Sequence, residues 1–170
     1  MKRQLGWLTA AAGLGFVVPA LFSGLLGLGR DPYLLVYLPV TGGLTGLYLA
    51  TDAPEAWTGV GERWLRAALI GAAAGAVLVV SVLRQPAGGH AAGAALAFDL
   101  AWSGVAYGVV DALLLTVLPV AAVFGALDDR ARSRGGALTA GALALAASLA
   151  VTAAYHLGYE EFRGAALAGP

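Results

Sequence analysis

The run from Phe98 to Phe124, FDLAWSGVAYGVVDALLLTVLPVAAVF, constrains the fold of this chain more than any other stretch. At about 1.5 Å per residue, a helix of this length crosses the roughly 30 Å hydrocarbon core of a bilayer with some tilt. It carries one ionisable side chain near its middle, Asp111. An unpaired carboxylate at that depth costs at least ~2.5 kcal/mol. Asp111 is therefore expected to face protein and not lipid. Tyr107 stands one helical turn before it and offers its hydroxyl as a local donor. Gly104 and Gly108 form a small-xxx-small pair on nearly the same face, which permits close approach of a second helix. Leu113 and Val117 point elsewhere and can meet lipid. Two roles stay open for Asp111: a proton, ion or substrate site, or an interhelical hydrogen bond from a buried carboxyl. Pro119 removes a backbone donor and predicts a kink near Leu115.

The rest of the chain is of one kind with this run. Only 12% of its residues are charged and 59% are hydrophobic, whereas a soluble domain averages about 25% charged. The expected fold is all-α, a polytopic transmembrane bundle of about five spans in a single integral membrane domain over residues 1–170. The spans are expected near 5–28, 33–50, 65–83, 98–124 and 137–157. The apolar ending AALAGP reads as the start of a further segment after residue 164, so the chain is expected to be part of a longer one. Net charge is zero, which gives no bulk attraction to nucleic acid. With no cysteine, disulfides, Fe–S clusters and thiol chemistry are excluded. One lysine against nine arginines in an Ala- and Gly-rich chain suggests a GC-rich prokaryotic genome.

In chain order, Pro19 is expected to bend the first span, and Arg30-Asp31-Pro32 to make a tight turn. The second span is interrupted by Pro39-Val40-Thr41-Gly42-Gly43, which reads as a proline-kinked helix or as a broken helix lining a site. Tyr33, Tyr37 and Tyr48 suit interfacial or interhelical positions, and Trp57 and Trp64 suit interface anchors. Gly71 and Gly75 give the third span a GxxxG face, so partners include the lipid bilayer and a homo- or hetero-oligomer through glycine faces. His90 stands alone in a Gly-rich loop.

Charge sets the orientation. For five spans, Lys2, Arg3, Arg63, Arg66, Arg130, Arg132 and Arg134 fall on one side, against Arg30, Arg84 and Arg163 on the other. By the positive-inside rule the N-terminus is cytoplasmic and the C-terminus outside, in the inner membrane of a prokaryote. Asp99, His156, Glu160 and Glu161 then share the outer face, with Asp111 about 18 Å deeper. If helix continues past Gly158, His156 and Glu160 stand at i and i+4, a spacing that suits two ligands of one metal, with Arg163 placed to neutralise Glu160 instead. No cofactor fingerprint, phosphate loop or nucleophile triad is present, so cofactor and metal stay unassigned.

The ending YEEFRG resembles the first motif, E-E-x-x-F-R-G, of the CAAX-protease and bacteriocin-processing (CPBP, Abi) family of intramembrane metalloproteases. Phe162, Arg163 and Gly164 match as they stand, while Glu160 and Glu161 abut Phe162, and the family's glutamate positions fall on Gly158 and Tyr159. The later motifs, F-x-x-x-H and H-x-x-x-N/D, do not occur before residue 170. The resemblance implies a multi-span helical fold and a metal-activated water for peptide hydrolysis, with Arg163 and Glu161 near the site. The residues themselves favour a multi-pass membrane protein with a polar site at Asp111 suited to transport or an accessory role. A CPBP-like relative and a structural subunit are the alternatives. The candidate polar site is Asp111, Tyr107, Asp99, His156, Glu160, Glu161 and Arg163.

Overall fold

Long apolar runs broken by short polar turns fold here as long helices and nothing else. The computed structural model describes residues 1–54, 92–131 and 133–167, with isolated positions between 65 and 80. Among the described residues there is no strand, and the fold is all-α. Helix α1 runs over Lys2–Leu25, α2 over Arg30–Thr51 and α3 over Ala94–Ala126. A short α4, Asp128–Ala131, leads to α5, Arg134–Gly158, and α6 covers Glu160–Leu167. Four of these, α1, α2, α3 and α5, are long and apolar enough to cross a membrane. The expected span over 65–83 with its Gly71–Gly75 face, the tryptophans of the preceding loop, and His90 lie outside the described residues, isolated positions apart.

Proline shapes the helices where the sequence places it, but not always as a kink. Pro119 has no N–H to offer the Leu115 carbonyl. The helix answers with π-helical turns over Leu113–Val117, and the Leu118 N–H bonds back to the Leu113 carbonyl. The Pro19–Leu25 stretch of α1 is π-helical too, and the Leu26 N–H reaches the Leu21 carbonyl at 2.9 Å. Pro39 sits inside a continuous α2, so the broken-helix reading of Pro39–Gly43 is not realised. The turn between α1 and α2 is made by Gly27, at φ +59°, and Gly29. Arg30, Asp31 and Pro32, expected as the turn, are instead the first turn of α2. At the other boundary the Ser133 side chain accepts from the Gly136 N–H and caps α5.

Two clusters make the core. Toward the Met1 end of the bundle, Ala11, Tyr48, Leu114, Leu118, Ala122 and Val151 pack together. Toward the Arg30 end, Val18, Tyr33, Leu34, Tyr37 and Tyr155 do so. Small residues let α1 and α5 approach closely at Gly158, where a Cβ would lie 2.6 Å from the Phe16 carbonyl oxygen. Lys2, Arg3, Arg130 and Arg134 stand at the Met1 end; Arg30 and Arg163 stand at the opposite end.

Candidate functional site

Five of the chain's six tyrosines gather at the Arg30 end of the bundle, from three different helices. Tyr33 and Tyr37 are one turn apart on α2, and Tyr155 is one turn before Tyr159 at the close of α5. Tyr107 comes from α3. The i, i+4 spacing stacks the first pair on one helical face, with the rings of Tyr33 and Tyr37 5.4 Å apart at 22°; Tyr159 lies just beyond the helix end, and its ring meets that of Tyr155 edge-on at 5.3 Å. Tyr37 is the hub, with ring centroids 5.7 Å from Tyr107 and 5.8 Å from Tyr155.

Asp111 is tied to this cluster. The fully buried Tyr37 donates its hydroxyl proton to Asp111 Oδ1 at 2.7 Å, joining α2 to α3. A half-buried carboxyl in an apolar helix thus has a strong hydrogen-bond donor from a neighbouring helix. Tyr107 does not serve Asp111 as the sequence predicts; its hydroxyl bonds to that of Tyr155. Helical proximity favoured the local donor, but aromatic packing turns Tyr107 toward α5. The π-helical stretches Leu100–Ala106 and Leu113–Val117 bracket the α-helical turns that carry Tyr107 and Asp111. Such wide turns rotate the register beyond them. Gly104 and Gly108 make no close contact among the described residues: both are exposed, and a Cβ at either would meet none of them within 4 Å. Val117, expected toward lipid, packs against the Met1-end cluster.

The remaining hydroxyls form a directed chain. Tyr159 donates to Tyr33 at 3.0 Å. A phenol has one proton, so Tyr155 must be the donor to Tyr159 at 2.7 Å, and Tyr107 the donor to Tyr155. The proton left over is that of Tyr33, which finds no acceptor among the described residues.

This chain borders an open cavity of about 420 Å³ at the Arg30 end. Its walls include Tyr33, Leu34, Tyr107, Tyr155, Tyr159 and His156, and Arg30, Glu161 and Phe162 stand at its rim. The His156 ring packs on Tyr155 and Phe162, at 5.4 and 4.9 Å. Its Nδ1 lies 2.9 Å from the Thr152 carbonyl.

The structure divides the residues expected to form one polar site. Tyr107, His156 and Glu161 line the cavity; Asp111 does not, and its donor Tyr37 packs its ring on Tyr107 and Tyr155 of the cavity wall. Asp99 is exposed near the start of α3 and does not line the cavity. Glu160 faces a separate groove with Gly24 and Arg163. The helix does not continue past Gly158: Tyr159 is extended, at φ −82° and ψ 138°, so His156 and Glu160 are not at i and i+4 of one helix. Arg163 donates to the Gly158 carbonyl at 3.4 Å. Among the described residues no group of three His, Asp or Glu side chains is placed to hold a metal. The chain matches no protein-family model, no curated protein and no solved structure.

Arg30, Tyr33, Tyr37 and Tyr159 were not singled out as site residues from the sequence. Their signal was present in the two Tyr-x-x-x-Tyr pairs, each at the end of an apolar helix.

Proposed function

We propose that this chain is a multi-pass integral membrane protein of a prokaryotic inner membrane, with a cytoplasmic N-terminus. In it, Asp111 is the centre of an intramembrane polar site that serves transport or an accessory role. The observation that carries this reading is the hydrogen bond from Tyr37 to Asp111. The Tyr37 ring in turn packs on Tyr107 and Tyr155, which line a cavity open at one end of the bundle. A carboxyl needed only to join two helices is served by any donor. Here it adjoins a chain of four phenols, the kind of hydroxyl array along which protons and polar ligands are passed. The charge asymmetry between the bundle's ends supports the orientation. The metalloprotease reading gains no support from Glu160, which is not among the residues lining the cavity beside His156.

Two substitutions test the role of Asp111. Asp111→Asn keeps size and hydrogen bonding but cannot titrate; Asp111→Leu loses both. Proton-linked activity requires Asn to fail as Leu does. A purely structural carboxyl predicts that the Asn chain keeps wild-type stability and growth phenotype while the Leu chain does not. Reporter fusions after Arg134 and Arg84 test orientation: the first should report cytoplasm and the second the outside. Outside activity at Arg134 contradicts it.

A further inference from the structure

We infer that the cavity at the Arg30 end binds a zwitterionic amine, a small group that carries both an oxyanion and a protonated amine. The inference rests on reading the cavity as the mouth of the Asp111 site. The cavity's rim holds one cation, Arg30, and one acid, Glu161, both exposed. A simple anion meets Glu161 there, and a simple cation meets Arg30. A ligand with both charges satisfies the two together.

The uncharged groups sort in the same way. Arg30 and Tyr33 stand at i and i+3 on the first turn of α2, hence on one face. Tyr33 is only 5% exposed and lines the cavity, and the direction of the phenol chain leaves its proton without an acceptor among the described residues. A buried donor left unmet is costly; an oxyanion beside Arg30 satisfies it. The α5–α6 wall offers the opposite chemistry. The Thr152 carbonyl only accepts, so His156 Nδ1 donates to it. The Glu161 carboxylate can receive ammonium protons, and the faces of the tyrosine rings attract the same charge. A volume of about 420 Å³ lies in the range of small-ligand sites, roughly 300–1,000 Å³.

Two sources share this chemistry: the headgroup of a zwitterionic phospholipid, and a free amino acid. The test is calorimetric titration of the full chain, purified in detergent. The probes are dihexanoyl phosphatidylethanolamine and glycine, with dihexanoyl phosphatidylglycerol and ethylamine as single-charge controls. Saturable binding of either zwitterion, at least about tenfold tighter than its single-charge control, is expected. Preference for the phospholipid identifies a headgroup site, and preference for glycine a free-solute site. Arg30→Gln and Glu161→Gln are surface changes and should each weaken binding by about tenfold; Tyr33→Phe should weaken it several-fold. The inference is overturned if neither zwitterion binds, if phosphatidylglycerol binds as tightly as phosphatidylethanolamine, or if Glu161→Gln leaves the affinity unchanged. Asp111→Asn keeps the two ideas apart. Binding retained in that chain with no activity change removes the role of Asp111 but not the ligand class. Lost zwitterion binding in the wild type removes the ligand class alone.

Discussion

At the Met1 end of the bundle, α1, α2, α3 and α5 meet through alanines, leucines, Val151 and the buried Tyr48, whose ring lies 5.4 Å from that of Trp7, and Asp52 stands at the rim. Asp52 accepts from Trp7 Nε1 at 2.9 Å and pairs with Arg3. At the Arg30 end, the same helices meet through tyrosine rings whose hydroxyls bond one another, and a cavity remains between them. Small apolar side chains interlock closely around the Tyr48 ring, so the first end gains much of its stability from dispersion. Phenols need partners, and their rings do not fill space as closely. The second end gives up packing for a set of oriented donors and acceptors. The two ends thus differ in chemistry: one is joined mainly by small apolar side chains, and the other lines its cavity with phenols.

If that division is right, the costliest damage lies at the Met1 end. Leu114 is fully buried there, and Leu114→Ala should destabilise the protein by about 2–5 kcal/mol, read as thermal unfolding in detergent. Ligand binding at the far cavity should be unchanged once the protein is folded.

Gly158→Ala comes next. Its Cβ would press on the Phe16 backbone and on Pro19, and the expected loss is about 1–3 kcal/mol. Because Gly158 sits between α1 and the cavity wall, this variant should also alter ligand binding, which Leu114→Ala should not.

Asp111→Leu leaves the buried Tyr37 hydroxyl without an acceptor, a loss of about 1–3 kcal/mol. Asp111→Asn should cost clearly less, and a thermal scan of the pair reads the difference. Equal losses would mean that the carboxylate's charge, and not its acceptor oxygen, holds α2 to α3.

The smallest effect belongs to the rim. Asp52→Asn removes the charge facing the exposed Arg3 and should change stability by about 1 kcal/mol or less, with less effect at high salt. A larger loss would show that the Met1 end depends on this ion pair more than on its apolar packing.

The helical spans were legible because hydrophobic runs longer than a membrane's thickness admit few other folds. Lys2–Leu25, Arg30–Thr51, Ala94–Ala126 and Arg134–Gly158 follow the expected runs to within a few residues. The burial of Asp111 against protein could be argued from the cost of a carboxylate in hydrocarbon. Its partner could not, because Tyr37 lies on another helix, 74 residues away in sequence. Nothing local marks such a pair. The reading that put Gly104 on the face of Asp111 assumed an unbroken α-helical period, and the π-helical turns over Leu100–Ala106 break it. The stop at Tyr159 was legible, since the fifth span was expected to end at residue 157 and Gly158 follows it.

The central claim is that Asp111 belongs to a polar site reached by water from the Arg30 end. The chain has no cysteine, so single-cysteine variants report access without background. Asp111→Cys, Glu161→Cys and Leu114→Cys should be exposed in intact membranes to a membrane-impermeant thiol reagent applied from the Arg30 side. The account predicts modification at positions 161 and 111, the latter slower, and none at 114. Modification at 161 with complete protection at 111 would contradict it and leave Asp111 as a sealed joint between α2 and α3.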